Sequence, residues 1–161
     1  MTKNIIQDEC EIIRQNCEYT AEAHHISARN SRNLAFWLQL IPTLIAAGSA
    51  GLVVGQVIPI WWGWATLLSA LISAFANVAN PLEDYYKHLI AAKSFVVLKH
   101  DVRYAKDTQL KMMKKTEFNL VVDLLHNRYG ELVRNAPITD DKVFEQARKR
   151  IQSGIYKPDK S

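Results

Sequence analysis

Between Arg32 and Glu83 the chain has no Lys, Arg, Asp, Glu or His. A stretch of that length with no charge cannot supply the surface of an ordinary water-soluble domain, which excludes most soluble-enzyme architectures. Cysteine is scarce as well: Cys10 and Cys17 are the only two. On one helix they stand two turns apart, roughly 10 Å along the axis. A disulfide needs Cα atoms within about 7 Å, so they are read as reduced residues on a packing stripe. Glycine and proline are absent before Pro42, so nothing interrupts a helix over that whole segment.

Catalytic and metal-binding patterns are also missing. There is no Cys-x-x-Cys, His-Glu-x-x-His, P-loop or Gly-x-Ser-x-Gly arrangement. Among the five histidines, His24 and His25 are adjacent and project to different sides of a helix. His88 and His100 are twelve positions apart, too far to share one ion. The expectation is a non-enzyme with no catalytic residues, no metal and no cofactor.

What the sequence does contain is apolar length. The charge-free stretch divides into residues 34–54 and 60–78, joined by the short connection 55–59. About 18 or more apolar residues at 1.5 Å each cross a ~30 Å hydrocarbon layer. Mean hydropathy of the whole chain is slightly negative, because the charged residues all lie in the outer segments. A cleavable signal is disfavoured: over thirty residues precede the first run, and that run exceeds the usual apolar segment of about 7–15 residues. A buried hairpin in a soluble bundle is disfavoured by length, since such apolar runs are commonly about 10–14 residues.

Interface residues and flanking charge give the expected topology. Trp37 opens the first span, Trp61, Trp62 and Trp64 open the second, and Tyr85 and Tyr86 follow it. Indole and phenol rings favour the headgroup level, so these six are candidate interface anchors. Arg29 and Arg32 precede the first span, Lys87 and Lys93 follow the second, and the connection is neutral. By the positive-inside rule both termini are cytoplasmic, in a multi-pass protein of the inner (plasma) membrane.

The flanks read as helices. Ile6, Cys10, Ile13, Cys17, Thr20 and His24 recur at four-three spacing on one stripe. Asn80-Pro81 breaks the helix after the second span. An amphipathic helix then runs from about Leu82, its apolar face drawn through Leu89, Ala92, Phe95 or Val96, Lys99 and Val102. Another covers 117–133, with Phe118, Val121, Leu124, Leu125 and Leu132. A last helix over 141–153 starts at a Thr139 or Asp140 cap and ends at Gly154. The fold class is an all-α membrane protein: a two-transmembrane helical hairpin with cytoplasmic amphipathic helices. Its parts are residues 1–33, a cytoplasmic helix leading into the first span; 34–81, the hairpin; and 82–161, a cytoplasmic helical region.

Within the hairpin two stripes carry information. Ala47, Gly51 and Gly55 repeat every fourth residue, the small-residue spacing that lets helices approach closely. Ser69, Ser73, Asn77 and Asn80, with Thr66, form a polar stripe that seeks protein or water partners, either between helices or around a pore. A pore needs several hairpins in a ring, hence a homo-oligomer. The net charge of +4, with clusters at Lys111, Lys114, Lys115 and at Arg148, Lys149, Arg150, suits a face near anionic lipid. No nucleic-acid module accompanies those clusters, so nucleic acid is not an expected partner.

The order of segments resembles one known family. A helix ending in Arg29-Asn30-Ser31-Arg32 leads into a two-span hairpin. His88-Leu89-Ile90-Ala91-Ala92-Lys93-Ser94-Phe95-Val96-Val97-Leu98 follows, then Tyr129-Gly130-Glu131-Leu132 and Asn135-Ala136-Pro137-Ile138. This arrangement resembles the SLATT domain, the two-transmembrane effector family associated with SMODS nucleotidyltransferases and SLOG nucleotide sensors in bacteria. The resemblance implies a membrane effector of an antiphage or conflict system. Such an effector oligomerises and permeabilises the inner membrane in response to a nucleotide signal or a partner sensor. No nucleotide-binding residue carries over. The rival expectation is a non-conducting, membrane-anchored helical scaffold that recruits a cytoplasmic partner.

Overall fold

The structure, a computed structural model, describes residues 3–54, 59–109 and 112–154, and among them every regular element is helical. Helix α1 spans Lys3–Val54, α2 Ile60–Ala79 and α3 Pro81–Tyr104. A π-helical turn, Ala105–Gln109, extends α3; α4 is Lys115–Asn135 and α5 Asp141–Gln152. Two helical stretches, Ile6–Ala50 and Trp61–Gln109, contain windows long and apolar enough to cross a membrane.

Local chemistry sets the ends. Asn80 closes α2 in the left-handed conformation at φ 41°, a region asparagine tolerates better than most residues. Its N–H donates to the Ala76 carbonyl at 3.0 Å, and Pro81 then begins α3, where a missing N–H costs nothing. The Asn80 side chain also donates to Glu83 at 2.6 Å. The Glu117 carboxylate accepts from the Lys114 N–H at the start of α4. Asp140 caps α5 by accepting from the Lys142 N–H.

The chain forms two compact units. The first comprises the described residues within Met1–Ala28 and Lys87–Ser161. Its core joins Ile6, Cys10, Ile13, Cys17 and Ala21 of α1 to Phe95, Leu98 and Val102 of α3, Ala105 of the π turn, and Phe118, Val122 and Leu125 of α4. The four-three stripe of α1 is therefore its buried face. A smaller cluster, Ala23, Ile26, Val143 and Ala147, seats α5 on α1.

The expected faces of the next two helices hold at Ala92, Phe95 and Val102 of α3 and at Phe118 and Leu125 of α4, all buried, and differ at single positions. On α3, Phe95 and Leu98 are fully buried, whereas Lys99 is half-buried with its ammonium 3.9 Å from Glu18. On α4, Val122 is buried while Leu124 is 67% exposed. Ion pairs rim the core. Glu11 takes Arg14 at 2.6 Å and Lys106 at 2.8 Å, and Arg150 reaches the buried Glu22 at 3.0 Å. Hydrogen bonds from Arg14, then Lys106 and Gln15, hold the Glu11 carboxyl down at about 2 against the opposing effect of burial.

The second unit, Arg29–Tyr86, contains the C-terminal half of α1 and α2. Ser69 Oγ donates to the Pro42 carbonyl at 3.4 Å and Trp62 Nε1 to Ser49 Oγ at 2.8 Å. Ser49 lies seven residues after Pro42, and Trp62 seven before Ser69, so the two helices run antiparallel in one heptad register. The α1 residues shielded on this face are Ala35, Leu38, Pro42, Ile45, Ser49 and Leu52, again at three-four spacing.

Candidate functional site

The polar stripe of α2 does not act as one surface. Thr66 Oγ1 donates to the Gly63 carbonyl at 2.8 Å, and Ser73 Oγ to the Ser69 carbonyl at 3.0 Å. Both hydroxyls thus satisfy themselves on their own helix. Ser69 is buried and turns toward Pro42. Asn77 is exposed, and Asn80 has left the helix to cap it. Of the five residues, Asn77 is the one whose amide faces outward from α2.

The small-residue spacing lies beside the contact face. Ala47 is exposed, Gly51 continues the helix, and Gly55 falls outside the described residues. The close approach is instead at Gly48, where an added Cβ would stand 3.1 Å from Trp62 Cζ2. Trp62 is half-buried there, holding Ser49. By contrast Trp37, Trp61 and Trp64 are exposed, as is Tyr86, with Tyr85 half-buried. The seam repeats at three-four spacing from Ala35 to Leu52, a row that the uniformly apolar sequence does not single out.

In the other unit the residues quoted for the family resemblance converge. The segments His88–Leu98 and Asn135–Ile138 both contribute to one cavity of about 410 Å³. From α3 come Lys87, Ile90, Ala91 and Ser94, with Phe95; Leu132 and the Asn135-Ala136-Pro137 turn complete it. Phe95 is also the link to a histidine pair, His24 buried and His88 half-buried. His24, 2% exposed, stacks on Phe95 with ring centroids 5.8 Å apart and planes 7° apart. Its Nδ1 lies 2.9 Å from His88 Nδ1. Tyr129 meets Phe95 edge-on at 6.1 Å.

Burial governs the chemistry of this core. It pushes the His24 imidazole down to about 4, helped by His88 and then His25. It pushes the Cys17 thiol up to about 12, with Lys99 opposing weakly, and raises Cys10 and Tyr129. The thiols are therefore protonated packing groups, not nucleophiles. Among the described residues no three His, Cys, Asp or Glu side chains converge to hold a metal ion.

Sequence spacing did not reveal the His24–His88 contact, which joins residues 64 apart. Its only signal is that each histidine extends a buried stripe, His24 that of α1 and His88 that of α3. No family model, curated protein or solved structure matches the chain.

Proposed function

We propose that the protein is a two-span inner-membrane effector with both termini in the cytoplasm, of the kind the SLATT resemblance implies. The observation that carries the membrane reading is an apolar belt facing away from any protein partner. On α1 it holds Leu34, Phe36, Trp37, Ile41 and Leu44; on α2, Leu67, Leu68, Leu71, Phe75 and Val78. Only 11% of each apolar window is buried, whereas the core helix of a soluble domain is mostly enclosed. Water would penalise such a belt by about 25 cal/mol per Å², and hydrocarbon would not.

In this reading several copies assemble around a shared axis, outward amides such as Asn77 line the path, and the cytoplasmic helices receive a nucleotide or a sensor protein. Repacking of the antiparallel pair then opens a route for ions. The test combines topology with conductance. A Gln56→Cys variant should react with a membrane-impermeant maleimide from outside the inner membrane. Induced protein should depolarise bacterial cells and release ions from proteoliposomes. Toxicity with the membrane potential intact would remove the pore and leave only the anchor.

One observation favours the scaffold as a second reading. Thr66 and Ser73 are satisfied within α2, so their hydroxyls do not call for water. A scaffold would keep its activity when residues 34–79 are replaced by an unrelated hairpin. The effector would lose it.

A further inference from the structure

We propose that a second copy of the chain packs its α3–α4 face against this one, about a two-fold axis that runs along the two helices. The inference deepens the assembly part of the proposed function and rests on that reading for the presence of a second copy.

Two stripes build the face. On α3, Ile90, Val97 and Tyr104 follow at seven-residue spacing and are 65%, 49% and 59% exposed. On α4, Leu120 and Leu124 stand one turn apart and are 69% and 67% exposed. The stripes border each other. Arg128, one turn past Leu124, reaches Asp101 of α3 at 2.6 Å, and Asp101 lies between Val97 and Tyr104. At one end Ile90 and Pro137 line the same cavity of about 410 Å³, and Ile138 next to it is 96% exposed. Six such side chains come to several hundred Å² of apolar surface, comparable with the largest patch of a typical monomer at about 300–600 Å². A stable interface takes about 800 Å² from each partner, polar rim included.

Shape and charge select a second copy as the occupant. A face that carries both a knob and a hole is self-complementary about a two-fold axis, so Ile138 of each copy enters the cavity of the other. The register follows from contacts within one copy. Helices α3 and α4 run antiparallel, with Ala91 and Ala136 on one cavity wall and Asp101 level with Arg128. An axis along the helices then sets Ile90 against the second copy's Ile138, and Tyr104 against its Leu124. Lys93 falls within about 5 Å along the axis of the second copy's Glu131, an offset their side chains span. Both are exposed, and neither has an ion-pair partner among the described residues. The two-fold repeats the pair, which gives an apolar centre a rim of matched charge. An axis across the helices would instead offer Lys93 the second copy's Asp101, which Arg128 already holds. These side chains lie outside the core, so substituting them shows in association and not in the fold of one copy.

The experiment co-expresses two full-length single-site variants with different tags, Ile90→Cys and Ile138→Cys, and oxidises them in isolated membranes. The native Cys10 and Cys17 are enclosed and stay out of the reaction. A disulfide-linked dimer bearing both tags is expected, with little from Ile90→Cys mixed with Tyr104→Cys. Lys93→Glu or Glu131→Lys alone should lower the yield about tenfold, and the double reversal should restore it. Circular dichroism confirms that each variant keeps its helices. Tags that co-purify without the 90–138 link overturn this interface and leave the assembly reading standing. A stronger 90–104 link overturns the axis. Reversals without effect, or a double reversal without rescue, overturn the Lys93–Glu131 register. Wild-type copies that do not co-purify overturn the assembly reading, and the proposal with it.

Discussion

His24 Nδ1 stands 2.9 Å from His88 Nδ1 across α1 and α3. One ring must donate and the other accept, so the contact exists only while at least one imidazole is neutral. Burial and the neighbouring His88 and His25 lower His24 to about 4, against about 6.5 for a free histidine.

A proton then binds the unfolded chain before it binds the folded one. Stability from this group is complete above about pH 6.5 and is lost as pH falls from there toward 4, by about 3 kcal/mol at most. Glu11, lowered to about 2, loses its contribution in a separate and more acidic window, below about pH 4.5. Thermal unfolding followed by circular dichroism from pH 7.5 to 4.5 should show the decline. His24→Phe should flatten that slope whatever it does to the stability at pH 7.5.

Two glycines of the second unit should answer oppositely. Gly48 sits against Trp62, and Gly63 has nothing within 4 Å of its missing Cβ. Gly48→Leu should cost about 1–3 kcal/mol by overpacking and alter Trp fluorescence. Gly63→Ala should be neutral or raise stability by up to about 1 kcal/mol through helix propensity. Ser49→Ala, which removes the acceptor for Trp62 Nε1, should cost about 1 kcal/mol.

The buried faces can be separated from the apparent ones. Phe95→Ala should destabilise the first unit by about 3–5 kcal/mol, and Leu124→Ala should stay within about 0.5 kcal/mol. Denaturant titration that follows the first unit distinguishes them. Equal effects would mean that Leu124 packs into the core together with Phe118 and Leu125.

Conductance variants should sort by where each polar group points. Under the proposed pore, Asn77→Leu should change depolarisation, since the exposed Asn77 amide faces outward. Thr66→Val and Ser73→Ala should change it little, since both hydroxyls bond to their own helix. Voltage-sensitive dye in induced cells provides the comparison. A large effect at Thr66 with none at Asn77 would contradict the assignment of the path.

Particular residues show how far the sequence was legible. The α1 stripe from Ile6 to His24 was readable because charged residues fill the other faces and leave one period. On α3 the apolar residues run nearly continuously from Leu89 to Ala92 and Phe95 to Leu98, so spacing could not choose between Phe95 and Val96. Only packing decides it, through α1 and α4. The seam of the antiparallel pair was hidden by the same uniformity: in an apolar helix Ala47-Gly51 and Ala35-Pro42-Ser49 are equally plausible contact rows. The His24–His88 pair depends on a fold-level contact that no local pattern encodes.

The two buried thiols have a practical consequence. Cys10 and Cys17 are fully enclosed, and Cys17 ionises only near pH 12, so neither competes for a thiol reagent at neutral pH. A cysteine placed anywhere on the exposed surface becomes the one reactive handle in the chain. The native protein can therefore be scanned for topology, and for the assembly and gating proposed above, without first removing either residue from its core.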